Sequence, residues 1–425
     1  MRLLMLSWEY PPLAVGGIAR HVHDLSSALA RRGIEVTVLT VGGPGLERIE
    51  RRGPLTVRRA LPGHPHPHDF IGHIMQLNLN LLQEALGLTI TGERFDLAHA
   101  HDWVTAYAGK AVKHGLGIPL VATIHATEYG RNNGLHNSLQ SYISDAEWWL
   151  CYEAWRVICC SRYMAAEVQR VFQLPGDKVR IVKNGVNPEG LEAGPIPPGF
   201  RARFAAPDES IIFFVGRLVP EKGVDVLLDA MPRVLAACPR TKLVVSGRGG
   251  HGEALREHAR RLGIFHRVLF ADYLDDAERN LLYRLAGAAV FPSLYEPFGI
   301  VALEAMAAGA PVVVSDTGGI SEIVEHGRNG LKAQTGNPVS LAENIIWLLQ
   351  HPGQASAMAR EAMEDARRGY DWNELALETI GVYEDVLGED LVRAPLPQAA
   401  VPESPQASPA VQTALGACAC KSMDL

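Results

Sequence analysis

Residues 211–238 are "IIFFVGRLVPEKGVDVLLDAMPRVLAAC", and this stretch decides the class of fold. It opens with five apolar residues, a run that is typical of a strand buried on both faces. After a loop bounded by Gly216 and Gly223, apolar residues recur at the spacing of an amphipathic helix. A buried strand joined to a helix is the repeating unit of a parallel sheet covered by helices. The stretch therefore predicts an α/β protein.

The same alternation of strand and helix continues on both sides of this stretch. Apolar runs that predict strands lie at 2–8, 34–41, 95–102, 119–126, 155–161, 241–247, 267–272, 288–293 and 311–316. Residues 188–210 interrupt the alternation with Pro, Gly and Ala in no regular period, as a linker does. We therefore predict two doubly wound parallel-sheet domains that face a cleft, at 1–190 and 191–370.

The C-terminal part of the chain has two different patterns. The segment "YDWNELALETIGVYEDVL" at 370–387 predicts a last amphipathic helix, for which we take the bounds 371–390. Residues 394–425 begin with a proline-rich stretch, and we expect a disordered tail there. Cys418 and Cys420 in the tail form a C-x-C pair without a nearby histidine, which we interpret as incidental and not as a metal site.

The composition argues against several classes of partner. The chain has 425 residues with 47 acidic and 40 basic side chains, a formal charge of −7, so we do not expect binding to nucleic acid or tight docking on anionic lipid. No apolar run approaches the roughly 20 residues that span a bilayer, and the first apolar run is too short for a signal peptide. Four cysteines in apolar contexts suit free thiols in a reducing cytoplasm, at Cys151, Cys159, Cys160 and Cys238.

Two local clusters of charged or titratable residues are expected on surface loops. One is a group of arginines, which we interpret as solvated: Arg48, Arg51, Arg52, Arg58 and Arg59. The other is "HPHPH", where His64, His66 and His68 alternate with prolines and lack the spacing of metal ligands.

Two groups at the ends of predicted strands suit a phosphate. Gly16 and Gly17 stand just before a predicted helix, where a glycine pair lets the backbone approach an anion or simply makes a turn. Arg217 and Lys222 follow the strand at 211–215, where a guanidinium and an ammonium suit a diphosphate. The alternative for these two cations is an ordinary solvated loop.

A third group is the stretch "LYEPFGIVALE" at 294–304. Pro297 is favoured as the first residue of a helix, which would leave the N–H groups of Phe298, Gly299 and Ile300 free. Glu296 stands before this start and Glu304 about one turn inside it. A glutamate there serves either as a helix-dipole partner or, as the pair suggests, as an acceptor for the hydroxyls of a polar ligand.

One motif invites a different interpretation. Gly247, Gly249 and Gly252 form the pattern G-x-G-x-x-G after a predicted strand. The dinucleotide fingerprint belongs to the first strand–helix unit of its domain, whereas this pattern lies in the second unit of the second domain. We therefore do not predict a nicotinamide dehydrogenase. We expect Gly247 to let the ribose or base of a nucleotide lie against the sheet edge.

In combination, these motifs resemble the GT-B glycosyltransferases, specifically the retaining enzymes of family 4. The resemblance covers about residues 1–390 and rests on the Gly16-Gly17 loop, "GRLVPEKG" (216–223), "LYEPFGIVALEAMAAGAPVV" (294–313) and "YDW" (370–372). The segments "SWEYPP" (7–12), "HAHDW" (99–103) and "TIHATEYGR" (123–131) look like those of glycogen-synthase-type α-1,4-glucosyltransferases. The resemblance implies that the last helix crosses back to the first domain.

The resemblance also implies roles for single residues. In the second domain, Arg217 and Lys222 would hold the diphosphate of a sugar nucleotide. Glu296 would bind the hydroxyls of the sugar, and Glu304 would bind the ribose. The amides of Phe298 to Ile300 would contact sugar and phosphate. In the first domain, His125 would contact the transferred sugar, while Asp102 and Glu9 would help to place the acceptor. The alternatives from the residues alone are a structural histidine at a strand end and an aspartate that caps a helix.

The expected reaction is the transfer of glucose from ADP- or UDP-glucose to the non-reducing end of an α-1,4-glucan. No Asp-x-Asp occurs, and we expect neither a metal nor another cofactor. The loop "AVGGIAR" (14–20) lacks the lysine of the "KTGGL" loop, and "EPFG" replaces "EPCG". The alternatives are a family 4 enzyme with a lipid or small-molecule acceptor, and a non-catalytic sensor of nucleotide sugars. The sequence leaves the base of the donor and the oligomeric state open.

Overall fold

The computed structural model describes residues 1–13, 16–60, 69–187, 191 and 194–392, with side chains described to residue 389. In this part of the chain the strands form two sheets. The first sheet contains β1 (Arg2–Leu6), β2 (Glu35–Val41), β3 (Ile49–Arg52), β4 (Leu55–Ala60), β5 (Leu97–His101), β6 (Leu120–Ile124), β7 (Arg156–Cys159) and β8 (Val179–Ile181). The second contains β9 (Ser210–Val215), β10 (Thr241–Ser246), β11 (Val268–Phe270), β12 (Ala286–Phe291), β13 (Val312–Ser315) and β14 (Leu331–Ala333).

Helices connect these strands and cover both faces of each sheet. Those in the first half are α1 (Gly17–Arg31), α2 (Phe70–Ile90), α3 (Ala106–Leu116), α4 (Glu128–Asn132), α5 (Ser138–Glu153) and α6 (Arg162–Phe172). Those in the second half are α7 (Val224–Ala237), α8 (Gly252–Arg261), α9 (Asp276–Leu285), α10 (Ile300–Ala307), α11 (Ile320–Ile323), α12 (Pro338–Gln350), α13 (Pro352–Gly369) and α14 (Trp372–Val392).

The order of the strands confirms the predicted doubly wound architecture. The first sheet runs β3-β4-β2-β1-β5-β6-β7-β8, with all neighbours parallel except the antiparallel pair β3–β4. The second sheet runs β11-β10-β9-β12-β13-β14 and is parallel throughout the described residues. In each sheet the order reverses beside the first strand, between β1 and β5 and between β9 and β12. Ligands of such sheets bind in the crevice at these reversals, beyond the carboxyl ends of the strands.

Alternating side chains divide the apolar core between the faces of the sheets. On β1, Met5 joins the cluster that includes α1 and α14, whereas Leu4 joins the cluster on the opposite face with α2 and α3. On β9, Phe214 packs with α7 and α12, whereas Phe213 packs with α9 and α10. All four side chains are at most 1% exposed. A strand buried on both faces explains why these strands are apolar without alternation.

The last helix crosses back to the first sheet, as predicted. Trp372 and Tyr383 of α14 lie in the cluster that also contains β1 and α1. The hydroxyl of Tyr383 shares a hydrogen bond of 2.7 Å with Nδ1 of His99 on β5. Residues Met1–Leu387 form one compact unit. The domain limits at 190 and 370 stay predictions, and the predicted disordered tail at 394–425 lies outside the described residues.

The prediction of a solvated arginine cluster holds for its exposed members but is wrong for Arg59. Its residues belong largely to β3 and β4, and the side chain of Arg59 is only 2% exposed. Arg59 donates to the carboxylate of Glu50 at 2.6 Å and to the carbonyl of Pro11 at 2.8 Å. A guanidinium can be buried when a carboxylate compensates its charge, and charge alone was a misleading signal here. The "HPHPH" segment lies outside the described residues.

The cysteines agree with the prediction of free thiols. Cys151, Cys159 and Cys160 are free and buried, and Cys238 is free and partly buried. Among the described residues, none of the helices is both long and apolar enough to cross a membrane.

Candidate active site

The loops at the carboxyl ends of the strands hold the predicted site residues. Those of the first sheet follow β1, β5 and β6, and those of the second follow β9, β10 and β12. Contacts between these loops join the two sheets, because Tyr295 after β12 reaches the loop after β6. The N–H of Thr127 donates to the Tyr295 hydroxyl at 3.2 Å, and that hydroxyl donates to Glu167 at 2.8 Å. The loop that contains His125 therefore lies against the loop that contains Glu296.

Lys222 and Glu296 form the central ion pair of the second domain. Nζ of Lys222 lies 2.7 Å from Oε2 of Glu296, and the hydroxyl of Ser293 donates to the same oxygen at 3.1 Å. The two side chains are 18% and 8% exposed, so the pair is largely shielded from solvent. The structure thus brings together two predicted residues that come from different strand–helix units.

Arg217 occupies a more open position than Lys222. Its side chain is 41% exposed, and Nη2 lies 3.3 Å from a carboxylate oxygen of Glu221. This placement suits either a cation that folds onto a bound diphosphate or the solvated loop cation named as the alternative. Its predicted role stays a prediction.

The helix after Glu296 begins later than we predicted. Pro297 is not its first residue, because α10 begins at Ile300 with Gly299 as its N-cap at a φ of 101°. Pro297 instead lies in the loop, where its carbonyl accepts a hydrogen bond of 2.7 Å from Ser161 of the first domain. A Cβ on Gly299 would lie 2.7 Å from Ile320, so the left-handed glycine also permits close packing.

The later start preserves the predicted row of free amides. Among the described residues, no acceptor binds the N–H groups of Phe298, Gly299 and Ile300. Phe298 as a whole residue is only 4% exposed, so its side chain is buried. Three consecutive free N–H groups at a helix start favour an anion.

The start of α1 faces the start of α10. A Cβ on Gly17 would lie 3.0 Å from Cδ1 of Ile300, and the N–H of Gly16 donates to Oε2 of Glu9 at 2.9 Å. The positive ends of two helices therefore meet at the cleft, which strengthens the potential for a negatively charged group. Glu9 is 3% exposed and orients this loop; its predicted contact with an acceptor stays untested.

Glu304 has two cationic partners that the sequence did not reveal. Nη1 of Arg20 on α1 lies 3.2 Å from Oε1 of Glu304, and Nε of Arg279 on α9 lies 3.6 Å from Oε2. Arg20 also forms an ion pair with Asp276. The Glu304 side chain is 3% exposed, so the carboxylate is held in a cationic setting between the domains. No local pattern marks Arg20 or Arg279, because both lie on ordinary amphipathic helices.

His125 and Asp102 meet on the side of the first domain. Oδ1 of Asp102 accepts the N–H of His125 at 2.7 Å, and Asp102 has no side-chain hydrogen bond to a helix start. Burial raises the pKa of Asp102 to about 7, although the hydrogen bond from His125 opposes this. Asp102 adopts a φ of 60°, a left-handed conformation that turns the chain between β5 and the next segment. Its contact with the backbone of His125 fixes the loop after β6.

His125 belongs to a group of imidazoles. Its Nε2 lies 3.2 Å from Nδ1 of His101, and its ring centroid lies 4.6 Å from that of His21. Burial lowers the pKa of His125 well below the usual value of histidine, so the ring is neutral near pH 7. Sequence reasoning singled out His125 alone, although His101 lies in the quoted segment "HAHDW" and His21 ends "GGIARH".

The G-x-G-x-x-G pattern has a packing explanation. Gly247 adopts a φ of 141°, and a Cβ there would lie 1.8 Å from the carbonyl oxygen of Gly216. A Cβ on Gly249 would lie 2.2 Å from the carbonyl oxygen of Leu218. The glycines let the loop after β10 rest on the loop after β9. A contact between Gly247 and a donor stays a prediction.

Comparisons with known proteins agree with this architecture. Residues 15–189 match the profile of Glycosyltransferase Family 4, and residues 199–365 match that of Glycosyl transferases group 1. An uncharacterized glycosyltransferase of Methanocaldococcus jannaschii is 38% identical over 388 residues, which cover 90% of this chain and 98% of the relative. A glycogen synthase of Mycobacterium tuberculosis is 36% identical over 399 residues, which cover 90% and 94%. A D-inositol 3-phosphate glycosyltransferase of Segniliparus rotundus is 28% identical, with coverage of 89% and 87%.

Solved structures share the fold at lower identity. The sucrose-phosphate synthase of Thermosynechococcus elongatus has a TM-score of 0.79 at 24% identity and covers 92% of this chain and 100% of its own. The catalytic domain of starch synthase IV from Arabidopsis thaliana, bound to ADP and acarbose, has a TM-score of 0.72 at 18% identity with coverage of 92% and 100%. With two parallel sheets, a crossing last helix and these sequence matches, the chain belongs to the GT-B glycosyltransferases of family 4.

Proposed function

We propose that this glycosyltransferase transfers glucose from ADP- or UDP-glucose to the non-reducing end of an α-1,4-glucan, with retention of configuration and without a metal. The observation that carries the proposal is the Lys222–Glu296 pair at 2.7 Å beside the free amides of α10. A sugar nucleotide offers a diphosphate for the cation and amides, and hydroxyls for the carboxylate. The likeness to a glycogen synthase, 36% identical, supports glucose and a glucan as the substrates.

The residues of the second domain bind the donor in this scheme. Lys222, Arg217 and the amides of Phe298 to Ile300 take the diphosphate, while Glu296 accepts hydrogen bonds from the sugar. Glu304 accepts hydrogen bonds from the ribose hydroxyls while it keeps its contact with Arg20. Hydrogen-bond donors that are held in place before the reaction lower the activation free energy by roughly 3 kcal/mol each when they stabilise developing negative charge.

Retention follows from attack on the face that the diphosphate leaves. The bond between the anomeric carbon and the phosphate oxygen breaks, the acceptor hydroxyl forms the new bond on the same face, and its proton passes to the departing oxygen. Lys222 and the two helix N-termini stabilise the charge that develops on the diphosphate. His125, neutral through burial, contacts the sugar without adding a positive charge beside it.

The acceptor binds on the side of the first domain. Asp102 fixes the backbone at His125, and Glu9 fixes the Gly16 loop, so both shape the acceptor side of the cleft. The free thiols of the chain accord with the reducing cytoplasm, which we propose as the location. A small acceptor is the second candidate, because a D-inositol 3-phosphate glycosyltransferase also matches across most of the chain.

One set of incubations tests the proposal. The enzyme is supplied with ADP-glucose, UDP-glucose or GDP-mannose together with maltooligosaccharides, D-inositol 3-phosphate or a lipid acceptor, with and without EDTA. Released nucleotide, chain length and the anomeric configuration of the product are measured, and Glu296→Gln serves as the inactive control. We expect elongation of the maltooligosaccharide with α-linkages, unchanged by EDTA. Transfer only to D-inositol 3-phosphate would establish the second candidate instead, and transfer only to lipid would refute both.

A further inference from the structure

Three histidines from separate elements converge beside the candidate site. His21 lies on α1, His101 ends β5 and His125 follows β6. One nitrogen from each ring lies within 4.8 Å of the others. His21 and His101 are 4% and 0% exposed, whereas His125 is half-buried on the cleft side. The three imidazole rings therefore form one cluster, with its two most buried members behind His125.

Two ring nitrogens in this group have no partner. Among the described residues, no hydrogen bond reaches Nε2 of His21 or Nε2 of His101, although both atoms are buried. The neighbouring His99 differs, since its two nitrogens bind Tyr383 and Thr123 at 2.7 Å each. Buried polar atoms are normally satisfied, so the orphaned Nε2 of His21 points to a ligand.

The separations suit a metal ion bound by imidazole. Two ligands held at about 2.0–2.1 Å from one zinc ion, at tetrahedral angles, lie about 3.4 Å apart. Nδ1 of His101 and Nε2 of His125 lie 3.2 Å apart, close to this value, and a bound ion would replace the hydrogen bond that joins them. The ligand nitrogens of all three histidines lie within 4.8 Å of one another, which is wider than the spacing in a zinc site, so the rings rotate when the ion binds.

A partner outside the group orients one of the rings. Nδ1 of His21 shares a hydrogen bond of 2.7 Å with Oδ1 of the buried Asn184. An amide oxygen only accepts, so Nδ1 of His21 carries the proton and Nε2 presents its lone pair to the other rings. Metal-binding histidines are commonly oriented in this way by a second hydrogen bond.

The group offers only imidazole nitrogens as ligands. Neutral imidazole is the form that binds a metal, and it suits zinc and similar ions.

We infer that His21, His101 and His125 form a binding site for a divalent ion of the zinc class, and that the ion inhibits transfer. The ion is not part of the proposed reaction. It withdraws His125 from the sugar, and its charge disfavours positive charge on the anomeric carbon. The inhibitory part rests on the proposed function of His125, whereas the binding site does not.

Binding is tested without turnover, on the full chain. His64, His66 and His68 are changed to Asn and Cys418 and Cys420 to Ser, because these residues offer other ligands for zinc. Zn²⁺ binding is measured by equilibrium dialysis and calorimetry, and Co²⁺ binding by its visible absorption. We expect one ion per chain, loss of binding in His21→Gln, and affinity lower by about tenfold in Asn184→Ala.

A matched control and a second variant keep the test decisive. His114→Gln changes an exposed histidine that pairs with Glu153, and its binding should equal that of the parent. If His21→Gln does not fold by circular dichroism, the affinity of Asn184→Ala decides. The absence of a bound ion, or binding that both variants retain at parent affinity, would overturn the site.

Activity separates the two parts of the inference. We expect Zn²⁺ to inhibit transfer by the parent at the concentrations at which it binds, with recovery on addition of EDTA. Zinc binding with an unchanged transfer rate would overturn the inhibition and leave the site. If the protein binds zinc but, without any metal, transfers no glucose to a glucan, the site stands and the proposed function is refuted.

Discussion

The substitution Lys222→Met tests the central ion pair of the donor side. Methionine keeps much of the side-chain volume but removes the cation that lies 2.7 Å from Glu296. In the proposed reaction, Lys222 stabilises the departing diphosphate more strongly than the bound donor, since negative charge grows as the bond breaks. We therefore expect kcat to fall and not only KM to rise.

Two magnitudes follow from the geometry. Loss of one preorganised donor to a developing anion lowers kcat by about 10²–10³, or about 2.7–4 kcal/mol. Loss of the pair also leaves Glu296 as a carboxylate that is 8% exposed, with Ser293 still donating to it. Because the pair is neither fully buried nor on the surface, we expect a loss of unfolding free energy of about 1–3 kcal/mol.

The assay must keep these two effects apart. Released nucleotide gives kcat and KM, while urea denaturation gives the free energy of unfolding for the same preparation. The control is Lys242→Met on β10, which removes a lysine that bonds the carbonyl of His266 outside the candidate site. A Lys222→Met enzyme that stays folded and keeps kcat within about threefold of the parent would refute the assigned role.

Two further substitutions test the cleft and the loop packing. Arg20→Asp should lower kcat/KM by about tenfold or more, because it removes the partner of Asp276 and also places a carboxylate beside the buried Glu304. Adding Asp276→Arg should restore only the part of the loss that belongs to the Arg20–Asp276 pair; losses that simply add would contradict a cross-cleft pair. Gly247→Ala should cost about 2 kcal/mol or more in unfolding free energy, because its Cβ would lie 1.8 Å from a carbonyl oxygen. Gly250→Ala, with no atom within 4 Å, should change stability by less than about 0.5 kcal/mol, and equal losses at the two glycines would contradict the packing argument.

Sequence reasoning succeeded where a feature depends on residues close together in the chain. The apolar runs of β1 and β9 and the glycines beside them are local signals, and they predicted the two sheets and the loops at their ends. Lys222 and Glu296 each follow a buried strand, and parallel strands deliver their loops to one edge. Their contact was therefore implied by topology before any distance was known.

The misses have a common physical cause, which is that they depend on a partner far away in sequence. Arg59 is buried with Glu50 and a carbonyl as partners of its Nη2, whereas its charge alone suggested the surface. Arg20 reaches Glu304 only because the two domains meet at the cleft. The helix α10 starts only at Ile300, since Gly299 adopts a left-handed φ of 101° and the Pro297 carbonyl before it is bound by Ser161 of the first domain. None of these contacts has a local pattern.

The two sides of the cleft differ in charge, and the difference suits the proposed reaction. The donor side presents Lys222, Arg20 and the free amides of α10, all of which favour the negative charge that grows on the departing diphosphate. The acceptor side presents imidazoles that burial keeps neutral, such as His125, together with the carboxyl group of Asp102. A protonated imidazole there would oppose positive charge on the anomeric carbon. In the proposed reaction, burial of the histidines keeps positive charge away from the sugar, and a zinc ion held by the same imidazoles would bring positive charge back and oppose transfer.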